Sequence, residues 1–273
     1  NVKEIIIVQN KIDLVSKEEA LKNYKEIRDF VKGTIAENSE IFPISAQQGV
    51  NIEKILDALM KIKIPKRDLQ GESCFIVARS FDINRPGKSI DKLNGGVLGG
   101  ALKRGKLKEG EEIEIKPGLS EKKENQLVYE TIKTKISGIY KGKYKVKEAV
   151  PGGSIALETE LDPILTKADN LAGCVAGKVG KLPELSDKIK IRFELFKEVM
   201  GLKEHQKVEN IRTQELILLS ANTAITIGCV IKLQGSEAEL NLRIPIVAFS
   251  GDNVGIARNI EGHWRLIGWG EIL

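Results

Sequence analysis

Residues 1–62 contain two short apolar runs, and each run is followed by a segment with helical periodicity. The runs at 5–8 and 41–44 have the continuous apolar character of buried parallel strands. A first helix is predicted over 17–32, with one apolar face formed by Leu21, Tyr24, Ile27 and Val31. A second helix is predicted over 51–62 and is expected to bury Ile52, Ile55, Leu56, Leu59 and Ile62. Two strands and two helices are too few to enclose a complete core, so this part is expected to end a larger α/β domain.

Residues 63–72 form a charged linker, and Pro65 within it stops the helical pattern. Beyond the linker, the pattern of apolar positions changes from helical periodicity to alternation. Within residues 73–182, short strands are predicted at 74–81, 96–105, 107–115, 134–140 and 154–157. Glycines at close intervals in such strands are typical of the bends in a small closed barrel, which is the fold we expect here.

Residues 183–273 also alternate between apolar and polar positions. The alternating stretches predict strands at 188–196, 215–220, 223–233 and 238–242. The chain is therefore predicted to contain an α/β remnant at 1–64 and two all-β barrel domains, at 73–182 and 183–273.

The composition is that of an ordinary soluble protein, with 273 residues, 41% hydrophobic and 30% charged. No apolar run approaches the roughly 20 residues that a membrane span needs, so no membrane partner is expected. Cys74, Cys174 and Cys229 are far apart and form no Cys-x-x-Cys pair, which favours reduced thiols in a cytoplasmic protein over disulfides or a zinc site. The net charge of +5 is compatible with RNA binding but does not establish it.

The first candidate site is the sequence Asn-Lys-x-Asp, formed by Asn10, Lys11 and Asp13. It lies between a predicted strand and a helix whose start, Ser16 with Glu19, has the spacing of a capping box. Ligands of open α/β sheets bind at such carboxyl ends of strands. The Asp13 carboxylate can accept hydrogen bonds from N1–H and the 2-amino group of guanine, a pair that adenine does not offer. The Lys11 stem can lie against the base, and the Asn10 amide can bridge the loop or reach the ring edge.

The second candidate element follows the next predicted strand and consists of Ser45, Ala46 and Gln47. A backbone N–H of this segment can donate to the 6-oxo group of guanine, and the Ser45 hydroxyl can hold the Asp13 carboxylate in place. Asn-Lys-x-Asp by itself also arises by chance, as a solvated turn with a capping side chain. Its combination with a strand, a helix and a following strand that ends in Ser-Ala favours a guanine site.

The sequence contains no phosphate loop of the form Gly-x-x-x-x-Gly-Lys-Ser/Thr. Residues 86–89 imitate its end, but Asp82 stands where its first glycine should be. No catalytic residue or metal ligand is therefore expected in this sequence. The phosphate loop, the switch segments and the Mg²⁺ ligands are expected in a preceding part of a longer protein.

The paired loops resemble the base-specificity elements of translational GTPases, which usually carry Lys where this chain has Gln47. The glycine pattern at 95–100 resembles the second domain of elongation-factor-Tu-like proteins, and residues 262–270 resemble the closing motif of their third domain. Together with residues 165–170, these segments resemble the gamma-subunit family of translation initiation factor 2. The resemblance extends over essentially the whole chain and is weakest between 117 and 150. It implies a P-loop GTPase domain remnant followed by two barrels.

The resemblance also implies a function. A protein of this family is expected to bind GTP or GDP with Mg²⁺, to hydrolyse GTP when intact, and to deliver initiator methionyl-tRNA to the small ribosomal subunit. Its alpha and beta subunits are expected on the second domain and the GTPase domain, respectively. The tRNA acceptor end is expected beside the first barrel, where Arg79, Gly96 and Lys103 are the candidate contacts.

Two alternatives remain open. A specialised elongation factor of the selenocysteinyl-tRNA type would usually add a further C-terminal domain. A protein-binding module of two barrels with a vestigial nucleotide site would not hydrolyse GTP, and nucleotide binding by the intact protein separates it from the other two.

Overall fold

The computed structural model describes residues 4–123, 126–201 and 206–273, with side chains described at all of these except 122, 123, 126 and 127. The chain divides into two compact units, Asn1–Lys66 and Arg67–Leu273. Each unit has its own architecture. No helix in the described part of the chain combines the length and apolar character needed to span a membrane.

The first unit contains two strand–helix pairs, as predicted. Its elements are β1 (Ile7–Gln9), α1 (Lys17–Val31), β2 (Ile41–Pro43) and α2 (Ile52–Lys61), with a 3-10 turn at Ile12–Leu14. The two strands are parallel, with Val8 opposite Phe42. Helix α1 begins with the expected capping box, because Ser16 Oγ accepts from the Glu19 N–H at 3.2 Å and the Glu19 carboxylate accepts from the Ser16 N–H at 2.9 Å.

The predicted apolar faces of the two helices are only partly buried. In α1, Val31 is buried, Tyr24 and Ile27 are half-buried, and Leu21 is exposed. In α2, the prediction that Leu56 and Leu59 are buried is wrong, because these side chains are 54% and 50% exposed. A sheet of two strands is too narrow to cover the whole apolar face of a helix.

Residues 74–178 form a first closed barrel of six strands in the order β10–β4–β3–β11–β6–β7, and β7 pairs again with β10. An extra strand, β8, pairs with β7, and β5 pairs with β9. The strands are β3 (Cys74–Phe81), β4 (Val97–Arg104), β5 (Leu107–Lys108), β6 (Glu112–Lys123), β7 (Gln126–Lys141), β8 (Tyr144–Val146), β9 (Glu148–Ala149), β10 (Ile155–Thr159) and β11 (Val175–Lys178). The predicted barrel is therefore confirmed, and it contains strands that the pattern did not predict.

A turn divides one of the predicted strands, and short helical segments lie between others. The stretch predicted as one strand at 107–115 is two strands, because a turn at Gly110, which has a φ of 87°, separates β5 from β6. After β10 the chain forms the short helix α3 (Pro163–Thr166), capped by Asp162, and a 3-10 turn at Lys167–Asp169. The loop between β3 and β4 carries another 3-10 turn, Ile90–Lys92.

The second barrel is also closed, with six strands in the order β12–β15–β14–β13–β16–β17. These are β12 (Leu185–Leu195), β13 (Leu216–Ala221), β14 (Ala224–Gln234), β15 (Glu237–Val247), β16 (Asn253–Ile260) and β17 (His263–Ile272). Inward-facing side chains alternate along the strands and fill the interior. The pattern predicted β12 to β15 but not β16 and β17. Ile191, Ile217 and Leu219 are among the fully buried side chains of this core.

A third apolar cluster joins the two barrels within the second unit. It contains Cys74 and Val175 from the first barrel, Val247 and Phe249 from the second, and Leu182 between them. Polar side chains complete the junction at its rim. Lys116 is buried and donates to the Pro183 carbonyl at 3.2 Å, while Glu114 accepts from the Leu182 N–H at 3.1 Å.

Candidate guanine nucleotide site

The Asn-Lys-x-Asp segment lies where predicted, between the end of β1 and the start of α1. Its backbone turns sharply at Lys11, which has a φ of 68°. Two hydrogen bonds join the segment to the end of β2. The Ile44 N–H donates to the Gln9 carbonyl at 2.8 Å, and the Ile12 N–H donates to the Ile44 carbonyl at 3.2 Å. The parallel pairing of β1 and β2 therefore places the two predicted loops side by side.

The Asn10 amide links the two loops directly. Its Oδ1 accepts from the Lys11 N–H at 2.8 Å within its own loop. The same oxygen accepts from the Ala46 N–H at 3.1 Å in the other loop. Because one acceptor holds a donor from each loop, the position of one loop depends on the position of the other.

Ser45 and Asp13 have different roles from the one predicted for the pair. Ser45 is buried, and its Oγ accepts from the Gln48 N–H at 3.2 Å within its own loop. Asp13 is exposed, and its carboxylate has no hydrogen-bond or ion-pair partner among residues 4–123, 126–201 and 206–273. The prediction that the Ser45 hydroxyl holds Asp13 is therefore wrong for this structure. Both oxygens of Asp13 are left available to a ligand.

Lys11 and Gln47 are exposed beside this carboxylate-bearing loop. Within the described chain, the Gln47 N–H has no hydrogen-bond partner, whereas the Ala46 N–H is bound to Asn10. The site thus offers the two carboxylate oxygens of Asp13, the apolar stem and ammonium group of Lys11, and the backbone N–H of Gln47. This set matches the polar edge and the flat face of an oxo-amino purine.

Two side chains that the prediction did not single out shape these loops. Gln9 is buried at the end of β1 and donates to the Ala20 carbonyl at 2.8 Å, which fixes the strand against α1. Asn51 stands immediately before α2 and donates to the Pro43 carbonyl at 2.8 Å. In the sequence, Asn51 is indistinguishable from an ordinary helix cap; only its left-handed conformation, with a φ of 60°, shows its different role.

The three candidate acceptor-end residues lie on the first barrel but not in one cluster. Arg79 is opposite Gly99 in the β3–β4 pair, and Lys103 is four residues farther along β4. At about 3.3 Å per residue, the two positions are separated by about 13 Å. Gly96 is buried, and a Cβ at this position would collide with the side chain of Thr166. The glycine is thus required by the close packing of α3.

Arg79 and Lys103 both have carboxylate partners. Arg79 Nε donates to Asp169 Oδ1 at 2.8 Å, which also accepts from the Ser80 N–H at 3.0 Å. These hydrogen bonds, the guanidinium bond first, hold the pKa of Asp169 below its usual value. Lys103 Nζ donates to Asp252 of the second barrel. Arg79 nevertheless remains 70% exposed, whereas the Lys103 ammonium is committed to the junction between the barrels.

Arg79 borders a cavity of about 500 Å³ on the outer face of the first barrel. The lining is mainly apolar and includes Phe81, Tyr140 and Ile76. A guanidinium group beside aromatic rings suits a flat base or an apolar group that carries negative charge nearby.

The chain is similar to known proteins over most of its length. A family model described as "Initiation factor eIF2 gamma, C terminal" matches residues 187–272. The translation initiation factor 2 subunit gamma of Pyrococcus horikoshii is 48% identical over 99% of this chain, which spans 66% of that relative. The same subunit of Methanothermobacter thermautotrophicus is 44% identical over 99% of this chain, and here the chain spans 67% of the relative. The chain thus spans about two thirds of the length of these relatives.

Solved structures with the same fold have much lower sequence identity. The bacterial selenocysteine-specific elongation factor EF-Sec has a TM-score of 0.76 at 20% identity, covering 99% of this chain and 40% of its own. The elongation factor SelB of Methanococcus maripaludis, in complex with a GTP analogue, has a TM-score of 0.73 at 20% identity, covering 98% of this chain and 58% of its own. At this identity the similarity establishes the fold alone.

Proposed function

The chain belongs to the gamma-subunit family of translation initiation factor 2, and from that premise we propose that the intact protein is a GTP-dependent carrier of initiator methionyl-tRNA. It delivers this tRNA to the small ribosomal subunit and works with the alpha and beta subunits of the same factor in the cytoplasm. The segments 1–64, 73–182 and 183–273 are its GTPase-domain remnant, second domain and third domain.

Guanine recognition is assigned to the two linked loops. The carboxylate of Asp13 accepts from N1–H and the 2-amino group, and the Lys11 stem covers one face of the base. A backbone N–H of the Ser45, Ala46 and Gln47 segment donates to the 6-oxo group. The observation that carries this proposal is the Asn10 bridge to the Ala46 N–H at 3.1 Å, next to an exposed Asp13 carboxylate without a protein partner.

Hydrolysis is assigned to the intact protein. The Mg²⁺ ion and the phosphates of GTP or GDP need a phosphate loop and switch segments, which this sequence does not contain. The 273 residues alone should therefore show no GTP turnover.

The tRNA acceptor end is assigned to the first barrel, at the cavity beside Arg79. Of the three candidates, Arg79 is the one that we propose to contact the tRNA directly. Its exposed guanidinium can bind phosphate, and Phe81 and Tyr140 offer surfaces for a base. Gly96 supports this surface through the packing of α3. The ammonium group of Lys103 is already paired with Asp252 at the junction of the barrels, so it is not free to contact tRNA phosphate.

The test of guanine recognition is the substitution Asp13→Asn in the intact protein. An amide side chain offers one donor and one acceptor, so it matches the 2-oxo group of xanthine and mismatches guanine. Each lost charge-assisted bond should cost about 1.5–3 kcal/mol, or roughly ten- to a hundredfold in affinity. We expect weaker GTP and GDP binding and tighter binding of xanthosine nucleotides, measured by competition.

Asp29→Asn is the matched control, because Asp29 is an exposed carboxylate on α1, away from the two loops. It should leave nucleotide preference unchanged, and thermal melts of all three proteins should coincide. If Asp13→Asn keeps the wild-type preference for guanine, Asp13 is only a loop residue and the proposed site is wrong.

The tRNA assignment has its own test. The intact protein should bind initiator methionyl-tRNA more tightly with GTP than with GDP, and its affinity should fall steeply with salt because phosphate contacts dominate such binding. A preference for selenocysteinyl-tRNA would favour the specialised elongation factor. Equal tRNA affinity in both nucleotide states would contradict the carrier function. Failure of the intact protein to bind any nucleotide would favour the protein-binding module of two barrels.

A further inference from the structure

Three hydrogen bonds close the loop that carries Ser45, Ala46 and Gln47. Ser45 and Val50 exchange two backbone bonds, at 3.3 Å and 3.0 Å. The Gln48 N–H donates to Ser45 Oγ at 3.2 Å inside the loop. The six-residue loop is thereby tied off by its first and last residues. Within it, the Ala46 N–H donates to Asn10 Oδ1, and the Gln47 N–H has no partner in the described chain.

Asn51 adds a second closure just outside the first. Its Nδ2 donates to the Pro43 carbonyl at 2.8 Å, so the start of α2 is tied to the end of β2 across the whole loop. Its backbone is left-handed, with a φ of 60° and a ψ of 17°, and its side chain makes no capping hydrogen bond to α2. Asparagine tolerates this conformation better than most residues, and its amide here serves the loop rather than the helix.

The closure at Asn51 is connected to the base-binding residues through the sheet. Pro43 is the last residue of β2, and the next residue, Ile44, bonds to Gln9 and Ile12 on either side of Asn10 and Lys11. The Ala46 N–H then meets Asn10 Oδ1 at 3.1 Å. A shift of the loop at its base therefore moves the amides that face the ligand, although Asn51 itself lies outside the loop.

From this geometry we infer that Asn51 is a positioning residue for guanine recognition. It holds the Ser45–Val50 loop so that a backbone N–H of the loop meets the 6-oxo group of the base, and it does so through the Pro43 carbonyl without contacting the nucleotide. The inference rests on the proposed guanine site, and it adds a residue that selects the 6-position, whereas Asp13 selects the 1- and 2-positions.

The experiment compares GDP with 6-thioguanosine diphosphate in the intact protein. The thio analogue keeps N1–H and the 2-amino group but replaces the 6-oxo group by sulfur, which is a weak acceptor. In Asn51→Gly the left-handed backbone is retained at no steric cost, and only the amide is lost. In Asn51→Asp the carboxylate can accept but cannot donate to the Pro43 carbonyl.

Both variants should bind GDP roughly three- to tenfold more weakly than wild type, as expected for one hydrogen bond. Their affinity for the thio analogue should stay within about twofold of the wild-type value, because the bond that they perturb is already weak there. Gln48→Ala is the matched control, since it removes a side chain of the same loop that makes no described hydrogen bond, and it should leave both affinities unchanged.

A second measurement does not depend on nucleotide. Amide hydrogen exchange should become faster at Ala46 in Asn51→Gly, while the amides of Val8 and Phe42 in the sheet keep their wild-type rates. Loss of protection throughout the first unit would mean that Asn51 only stabilises the fold, and the inference would be overturned.

These measurements distinguish a failure of the role inferred for Asn51 from a failure of the proposed guanine site. A wild-type protein that binds ADP as well as GDP overturns the guanine site and the role of Asn51 together. A wild-type protein that prefers GDP, with Asn51 variants that lose equal affinity for GDP and the thio analogue or lose none, overturns the role of Asn51 alone.

Discussion

The two units bury their apolar side chains to different extents. Among the described residues of the first unit, 4–66, five apolar side chains are buried, namely Val31, Ala36, Ile41, Phe42 and Ile44. Several larger ones remain exposed, including Phe30 and Met60, each at 85%. In the second unit each barrel encloses its own continuous apolar core, and a third cluster joins the barrels.

The difference follows from strand pairing. A closed barrel pairs every strand on both sides, so its inward-facing side chains are surrounded by the sheet itself. A sheet of β1 and β2 alone has two open edges and covers only part of each helix. A groove of about 530 Å³ runs along Ile5, Ile6 and Phe42, and its lining is shared by charged side chains such as Lys54 and Asp57.

This contrast explains where the candidate chemistry lies. The loops that we propose to bind guanine belong to the unit with little core of its own, so hydrogen bonds such as those of Asn10 and Asn51 must fix their shape. On the barrels, position is fixed by the core, and the polar side chains at the surface are free to serve packing or binding. The predictions below test how far the two units differ.

The largest difference should appear when the two units are produced separately. Residues 67–273 should melt in one cooperative transition, because both barrels and the cluster between them are complete. Residues 1–66 should give no cooperative melt, since their buried apolar area is too small to offset the entropy of folding. Circular dichroism during heating distinguishes the two, and a sharp transition for residues 1–66 would contradict this account.

The second prediction compares two leucines that the sequence alone does not distinguish. Leu157 is fully buried in the first barrel, so Leu157→Ala should lower the free energy of unfolding by about 2–5 kcal/mol. Leu56 on α2 is 54% exposed, and Leu56→Ala should change the free energy of unfolding by about 0.5 kcal/mol or less. Urea unfolding of the full chain measures both. Similar losses for the two variants would show that α2 is covered in solution.

The third prediction concerns the junction between the barrels. Asp252 is buried and accepts from Lys103 and, at 2.8 Å, from Asn222. Asp252→Ala leaves both donors without their partner and should cost about 1–3 kcal/mol in urea unfolding.

The ion pair of Lys190 with Glu237 lies on the exposed face of the second barrel and serves as the control for the junction. Lys190→Ala should have a much smaller effect than Asp252→Ala, because water screens exposed pairs. Equal effects of the two variants would mean that the Lys103–Asp252 pair is as solvated as a surface pair.

The smallest expected effect is a dependence of stability on pH at the first barrel. The bonds from Arg79 and the Ser80 N–H lower the folded-state pKa of Asp169 below its usual value of 3.8. A lowered folded-state pKa contributes stability above the unfolded-state value, and this contribution is lost as the pH falls through the folded-state value. Arg79→Gln should thus melt below wild type at pH 6, and the gap should narrow as the pH falls below about 4. A gap that stays constant down to pH 2 would exclude the ion pair as its cause.

The local elements and their order along the chain could be predicted from the amino-acid sequence. Helical spacing, the capping box at Ser16, and the change to alternation after Pro65 are properties of neighbouring residues, and the structure has the corresponding helix, cap and barrels. The positions of Asn10 and Asp13 on a strand-to-helix loop also followed from the sequence, because a short apolar run followed by a cap leaves little freedom for the chain between them.

The hydrogen-bond and ion-pair partners of these residues, in contrast, depend on how distant segments meet in the fold. Asp169 meets Arg79 across 90 positions of the chain, and Asp252 meets Lys103 across 149. Ser45 bonds to Gln48 rather than Asp13, and Leu56 is exposed on a helix whose pattern predicted burial. The physical reason is that hydrophobic periodicity records which face of an element is apolar, while burial and pairing depend on what covers that face. The closure of the barrels and the narrowness of the two-stranded sheet arise only when distant segments meet.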